Sequence, residues 1–306
     1  MISVVVPLFN KEEFIASTLE SILGQTFANF ELILVNDGST DDSLEILKTF
    51  RDDRIQLISI ENSGVSVARN TGIQAASYPW IALLDSDDRW APDFLEDMIA
   101  ATKKFPDQKI FASGRSRVFE GNTERYEHEF LPAEGETKKL NYFEVISKYL
   151  PLVNSSNVMI EKELFYSNGM FKPGQRKHED HDMWLRLCVD ESVVFVNKPL
   201  SFYLKVQADT GSSAYYRPQD FCVYLNTLLA VNSQITKQEQ EWFKSYYNRF
   251  VLISYIQNYK QYNKNEDQEV FELAKQLMTG KFLRILKLLK ALPFKNTYRI
   301  LKMLKR

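Results

Sequence analysis

The chain has 306 residues, of which 44% are hydrophobic and 25% charged, with a formal net charge of −2. This is a globular composition, sufficient for one large domain or a catalytic domain with an appendage, and it excludes disordered and collagen-like chains. The charge is uneven: residues 281–306 hold nine Lys or Arg and no acid, leaving 29 of the 38 basic side chains against 40 acidic ones in residues 1–280. An acidic body is a poor polyanion binder, so no nucleic-acid partner is expected.

The chain opens on the strand-like run Ile2-Ser3-Val4-Val5-Val6, without the basic and long apolar regions of a signal peptide. No apolar run reaches the roughly 18 residues that span a bilayer, so a cytoplasmic location is expected. Ile2–Val6, Phe30–Val35, Ile55–Ile60 and Trp80–Leu84 read as strands. Between the first two, Phe14, Ile15, Thr18, Leu19 and Ile22 recur at spacings of three and four, which predicts a helix over Glu13–Leu23. Cap oxygens in Ser39-Thr40-Asp41-Asp42 open a second helix, Asp41–Leu47. Strands alternating with helices predict an α/β fold with a mostly parallel central sheet covered by helices on both faces. Ligands in such sheets bind at the carboxyl ends of the strands.

Beyond residue 105 the pattern loosens into a strand-like Lys109–Phe119, a polar stretch through Thr137 and mixed elements to Lys205. Residues 217–279 read as helical, with a boundary near Ala208–Pro218. Cys188 and Cys222 form no CxxC or zinc-like spacing and read as inert thiols.

Three carboxylates crowd the end of an apolar strand in Leu83-Leu84-Asp85-Ser86-Asp87-Asp88. Charges this close repel unless a cation offsets them, and oxygen donors favour Mg2+ or Mn2+; an Asp-rich turn before a helix is the alternative. A second acidic turn, Val35-Asn36-Asp37-Gly38-Ser39-Thr40-Asp41-Asp42, closes the second strand, with Asp37 at its tip, where a carboxylate can accept from a base or a ribose hydroxyl. After the third strand comes Glu61-Asn62-Ser63-Gly64, then Val65-Ser66-Val67-Ala68-Arg69-Asn70-Thr71-Gly72. Arg69 there is either an exposed helical side chain or a contact to a base or phosphate oxygen.

With Val4-Val5-Val6-Pro7-Leu8-Phe9-Asn10, these segments form an ordered set that resembles the inverting family-two glycosyltransferases with the A-type nucleotide-sugar-binding fold. The resemblance is strong over residues 1–95, continues to about residue 215 and stops there. It implies a UDP-sugar donor, with Pro7, Asn10 and Asp37 forming the uridine pocket and Asn62 and Arg69 beside it. Asp85 would lie near ribose and metal, and Asp87 would bind the Mn2+ or Mg2+ that bridges the diphosphate. In Lys177-His178-Glu179-Asp180-His181-Asp182-Met183-Trp184, the family match makes Asp180 the general base for an acceptor hydroxyl, with Glu179 and Asp182 as supports. The alternative is an acidic helix N-terminus favoured by the macrodipole. His178 and His181 lack the HExxH pattern of a zinc site. The resemblance also implies a glycan or lipid-linked saccharide acceptor and a nucleotide-sugar-binding and catalytic domain at 1–215 (donor half 1–105, acceptor half 106–215); the residue pattern alone adds a helical extension at 216–279 and a basic tail at 280–306.

Two departures from the family stand out. Gln207, in Phe202-Tyr203-Leu204-Lys205-Val206-Gln207, stands where many relatives place a His that contacts metal or phosphate. No Gln-x-x-Arg-Trp element follows Asp180, which implies one sugar per encounter. A sugar nucleotidyltransferase would share the fold, but Pro7-Leu8-Phe9-Asn10-Lys11 has no glycine in the turn where such enzymes carry a Gly-rich loop. A non-catalytic nucleotide-sugar-binding scaffold is the remaining alternative.

In the tail, Phe282, Ile285, Leu286, Leu289 and Leu292 gather on one side of a helix and Arg284, Lys287 and Lys290 on the other, before Pro293 interrupts it. Tyr298–Arg306 repeats the theme. Such a cationic amphipathic segment is expected to bind an anionic membrane surface, placing the protein peripherally on the inner face of the cell membrane.

Overall fold

The structure is a computed structural model that describes residues 1–204, 216–258 and 261–291, with Leu289 and Ala291 as backbone only. Its contacts divide the chain into two compact units, residues 1–145 with 151–209, and residues 146–150 with 210–306.

The first unit carries a ten-stranded sheet. Strands β1 (Ile2–Leu8), β2 (Phe30–Asp37), β3 (Ile55–Ile60) and β4 (Trp80–Leu83) are parallel in the spatial order β3-β2-β1-β4, linked by helices α1 (Ile15–Leu23), α2 (Ser43–Leu47) and α3 (Val65–Ala75). The parallel run stops at β4. Next come β5 (Arg89–Trp90), α4 (Phe94–Lys104), β6 (Ile110–Phe119), β7 (Asn122–Arg125), β8 (Thr137–Leu140), α5 (Tyr142–Ile146), β9 (Val158–Glu161), α6 (Lys162–Ser167), α7 (Glu179–Leu187) and β10 (Val193–Leu204). Strand β9 enters antiparallel between β4 and β6, whereas β10 lies parallel to β6, so the sheet is mixed on this side. Strand β1 is buried along its whole length and most of β2 likewise, as two-sided coverage requires.

Two glycines fix how closely the layers approach. A Cβ on Gly72 of α3 would stand 2.4 Å from a Val5 methyl, so α3 packs on β1 at a distance only glycine permits. Gly38, at φ +74°, makes the turn after β2, where a Cβ would meet the Asn62 amide nitrogen at 2.9 Å. The β2 and β3 exit loops therefore lie against each other.

Helix α2 starts two residues later than Asp41, and the side chain that serves it is that of Asp41: its Oδ1 accepts from the Ser43 N–H at 3.1 Å, while Asp42 makes no capping bond. Cys188 and Cys222 are free and buried, and burial pushes both thiols up, Cys222 to about 12.

The described part of the second unit is helical, with α8 (Pro218–Gln234), α9 (Lys237–Asn258), α10 (Lys264–Leu277) and α11 (Gly280–Ala291). Pro218 takes the first position of α8, where its missing N–H costs nothing. Asn263 and Glu266 form a capping box on α10. No described helix is long and apolar enough to cross a membrane.

Candidate active site

The carboxyl ends of β1, β2 and β4 bring together side chains from three separate turns. Asn10 sits in the left-handed region at φ 51°, and this turns the chain back so that its Oδ1 accepts from the Thr40 N–H at 2.8 Å. Its own N–H donates to Ser39 Oγ at 3.1 Å. Pro7 is buried within β1, opposite Val35 of β2. Asp37 is buried at the end of β2, and each of its oxygens accepts one main-chain N–H from the next loop, Ser63 at 2.7 Å and Gly64 at 2.8 Å. The carboxylate thus ties the β3 exit loop to β2, and each oxygen keeps a further lone pair for a ligand. Asn62 is exposed on that loop.

Arg69 is the centre of the charge arrangement. It projects from α3, is only 3% exposed, and donates to Asp85 Oδ1 at 2.8 Å and to Glu179 Oε1 at 3.1 Å. Of the two readings of Arg69, exposed helix surface is excluded. Burial works against its charge, but Asp85, Glu179 and Asp180 outweigh burial and raise its pKa. Among the described residues its Nε has no hydrogen-bond partner, and neither have the buried Ser155 Oγ and His181 Nδ1. Asn70, the next residue, exchanges two hydrogen bonds with the main chain of Phe171, at 2.8 and 3.0 Å. The Phe171 ring lies 5.3 Å from the Arg69 guanidinium, so one turn of α3 holds both the arginine and the aromatic beside it.

The three acids after β4 have different surroundings. Asp85 faces Arg69. Asp87 is paired with Lys11 Nζ at 2.5 Å. Asp88 is 1% exposed; Ser156 Oγ lies 2.5 Å from its Oδ2, and its Oδ1 accepts the Leu204 N–H at 3.2 Å. Burial, then the charges of Asp85 and Asp87, push the Asp88 carboxyl well above the usual range. The hydrogen bonds from the Ser156 hydroxyl and the Leu204 N–H work the other way and do not offset this. A folded-state pKa above the unfolded one gives stability that is complete below the ordinary aspartate value and is lost as pH rises through the raised value. Melting temperature should accordingly fall across that window in the wild type and fall less in Asp88→Asn, which thermal scans from pH 4 to 8 would check.

Ser156 also accepts the Asp85 N–H at 3.2 Å, and its carbonyl accepts Trp90 Nε1–H at 2.7 Å. Thr18 Oγ1 lies within 3.0 Å of the carbonyls of Ser86 and Asp88. Lys11, Thr18 and Ser156 thus shape the acidic turn although sequence patterns did not single them out. Ser156 lies some seventy positions from its partners and has no local signature. Lys11 directly follows the Pro7–Asn10 segment and was within view.

At the other side, His178 adopts φ 55° and starts α7, whose first turn contains Glu179, Asp180 and Asp182. Partial burial works against the Asp180 charge. The imidazoles of His181 and His178, together with Arg69 and the His181 N–H, outweigh it and lower the pKa. Burial and Asp180 raise Glu179 despite Arg69. Burial and the neighbouring His181 push His178 down to about 3, so it is neutral at pH 7. Asp182 is fully buried and held by Lys172 at 2.9 Å and Arg186 at 2.8 Å. Arg186 continues to the main-chain carbonyls of Asn168 and Met170, so Asp182 anchors α7 to the loop before it.

Among the described residues no three His, Cys, Asp or Glu side chains form a ready cation cage. Mg2+ and Mn2+ are commonly held by one or two carboxylates together with substrate phosphates, and Asp85 with Asp87 offers that donor set. The Lys11 ammonium on Asp87 already stands as a cation at the position such an ion would take. The residues therefore fit the ion; Gln207 lies outside the described residues.

The family model "Glycosyl transferase family 2" matches residues 3–166. The putative teichuronic acid biosynthesis glycosyltransferase TuaG of Bacillus subtilis is 30% identical over 219 residues, covering 70% of this chain and 83% of that one. An uncharacterized glycosyltransferase of Rickettsia felis is 29% identical over 284 residues, which is 84% of this chain but 45% of the relative. The chain thus spans less than half of that relative, and 35% of a second one from Rickettsia conorii. Among solved structures, residues 1–349 of S. aureus TarS in complex with UDP-GlcNAc superpose with a TM-score of 0.72 at 19% identity, covering 97% of this chain and 89% of that one, which establishes a shared fold. With its ordered motifs at the strand ends and a family model covering more than half of its length, the chain belongs to glycosyl transferase family 2.

Proposed function

We propose that this protein is an inverting glycosyltransferase that moves one sugar from a UDP-sugar to a hydroxyl of a glycan or lipid-linked acceptor by single displacement. The observation that carries the reading is the double ion pair of Arg69 with Asp85 and Glu179. One guanidinium joins the acidic turn of the donor side to the helix start that holds Asp180. The TarS structures with UDP-GlcNAc and UDP support a uridine nucleotide, and the description of TuaG as a putative teichuronic acid biosynthesis glycosyltransferase supports a glycan acceptor.

In this reading Pro7, Asn10, Asp37 and Asn62 receive the nucleoside and Arg69 orients Asp85. Asp85 and Asp87 would hold Mn2+ or Mg2+, which offsets the charge that develops on the leaving diphosphate when bound. Asp180, kept ionised by its neighbours, accepts the proton of the acceptor hydroxyl as that oxygen attacks the anomeric carbon. Attack opposite the leaving group inverts the configuration. Glu179 supports Asp180 by holding Arg69 in place, and Asp182 does so by fixing α7. Without a Gln-x-x-Arg-Trp element, the product leaves after each transfer. Residues 1–215 carry this chemistry, 216–279 extend it, and 280–306 form the tail. Metal-dependent hydrolysis or transfer, measured across a panel of UDP-sugars with the purified protein, tests the reading; a binder without turnover on any of them would favour a scaffold.

The tail completes the proposal as a peripheral anchor at an anionic membrane. Part of its apolar face is used within the helical unit: Leu286 is buried, and Lys290 lies 4.0 Å from the Phe271 ring and 3.5 Å from Asp267. Lys281, Arg284 and Lys287 stay exposed on α11 beside Leu288, which is 61% exposed; residues 292–306 lie outside the described residues. Each cation near such a surface contributes about 1 kcal/mol. The triple change Lys281→Gln, Arg284→Gln, Lys287→Gln should therefore weaken sedimentation with anionic vesicles at low salt about a hundredfold and leave neutral vesicles unaffected. Equal binding by both proteins would refute the anchor.

A further inference from the structure

We propose that Lys11 is a displaceable counter-cation of Asp87, which makes divalent-cation binding depend on the arrival of the nucleoside diphosphate. The inference rests on the metal reading above and adds an order of binding to it.

Lys11 has a fixed base and an ion-paired head. Its main-chain N–H donates to Ser43 Oγ at 2.9 Å, and its carbonyl accepts from the Phe14 and Ile15 N–H groups at 3.0 and 2.9 Å. The backbone is thereby locked between α1 and the turn before α2. The side chain is held at its tip, by the ion pair of Nζ with Asp87 Oδ2 at 2.5 Å and a looser approach to the Phe14 ring at 5.8 Å. Both members of the pair are partly open to solvent, at 30% and 29% side-chain exposure. A compact ammonium on a flexible stem is suited to exchange places with another cation.

The other acids of the turn leave Asp87 as the carboxylate a cation must capture. Asp85 is already engaged by the buried Arg69, and Asp88 is buried with its two oxygens taken by Ser156 and the Leu204 N–H. A divalent ion arriving alone meets two neighbouring positive charges, Lys11 and Arg69, and must displace one of them. An ion arriving with a diphosphate brings anionic oxygens to which the Lys11 ammonium can transfer. The same charge that excludes the bare ion then assists the loaded one, and no bond is made or broken in the exchange.

Electron paramagnetic resonance of free Mn2+ during titration of the full chain tests this without turnover. Without nucleotide, Lys11→Gln should bind Mn2+ about fivefold more tightly than wild type, the most that loss of a partly exposed ion pair allows. Lys11→Arg, which keeps the charge, should match wild type. At saturating Mn2+, Lys11→Gln should bind UDP about threefold more weakly, because the transferred charge is missing. Nucleotide-free Mn2+ affinity that is equal in wild type and Lys11→Gln, or raised equally by Lys11→Arg, overturns the inference. Failure of the metal reading itself gives a different result: UDP binding that is the same with and without Mn2+ in wild type, which overturns both.

Discussion

Asp87→Ala should abolish sugar transfer, by about three orders of magnitude or more, and remove the Mn2+ dependence of UDP binding while leaving the protein folded. In the proposed reaction the leaving nucleoside diphosphate gains negative charge as the glycosidic bond breaks, and Asp87 would hold the ion that offsets it. Its partner Lys11 and Asp87 are both partly exposed, so the lost ion pair costs at most about 1 kcal/mol of stability. Calorimetric titration of UDP with and without Mn2+, paired with a thermal scan, separates the two effects. An Mn2+ dependence in the variant equal to that of wild type would refute the assignment.

Asp180→Asn should lower turnover by two to four orders of magnitude, about the worth of a positioned general base, with UDP affinity nearly unchanged. The substitution keeps the shape and removes the proton acceptor. Because His181, His178 and Arg69 hold the Asp180 pKa down against burial, the base form persists to low pH. The acid limb of kcat/KM in the wild type should therefore lie below the ordinary aspartate range. Single-turnover rates measured against pH check both statements. Turnover of Asp180→Asn within about tenfold of wild type would move the role to Glu179. Asp182 is not a credible substitute, since Lys172 and Arg186 occupy its two oxygens and it is fully buried.

The sequence by itself determined the donor half of this protein, because that half is built from local signals. Alternating apolar strands and periodic helices lie in consecutive order, each strand ends in a polar turn, and β1, β2 and β3 pair in chain order while β4 returns to the other side of β1. Asn10, Asp37 and Asp85 could be read there because a strand end places them regardless of distant packing. What only the tertiary structure decided involves residues far apart in sequence. The antiparallel entry of β9 between β4 and β6 has no signature in four residues. Arg69 reads equally as a solvated helix residue until α7 brings Glu179 to it across 110 positions. The run Glu179, Asp180, Asp182 looks like three equivalent acids along the chain. Helical rotation aims Asp182 at two cations and Glu179 at Arg69, and leaves Asp180 accepting the His181 N–H. Likewise Asp85, Asp87 and Asp88 differ only through Arg69, Lys11 and Ser156. A motif fixes which chemical groups are present, whereas burial and long-range partners fix the charge each of them carries, and those are properties of the folded chain.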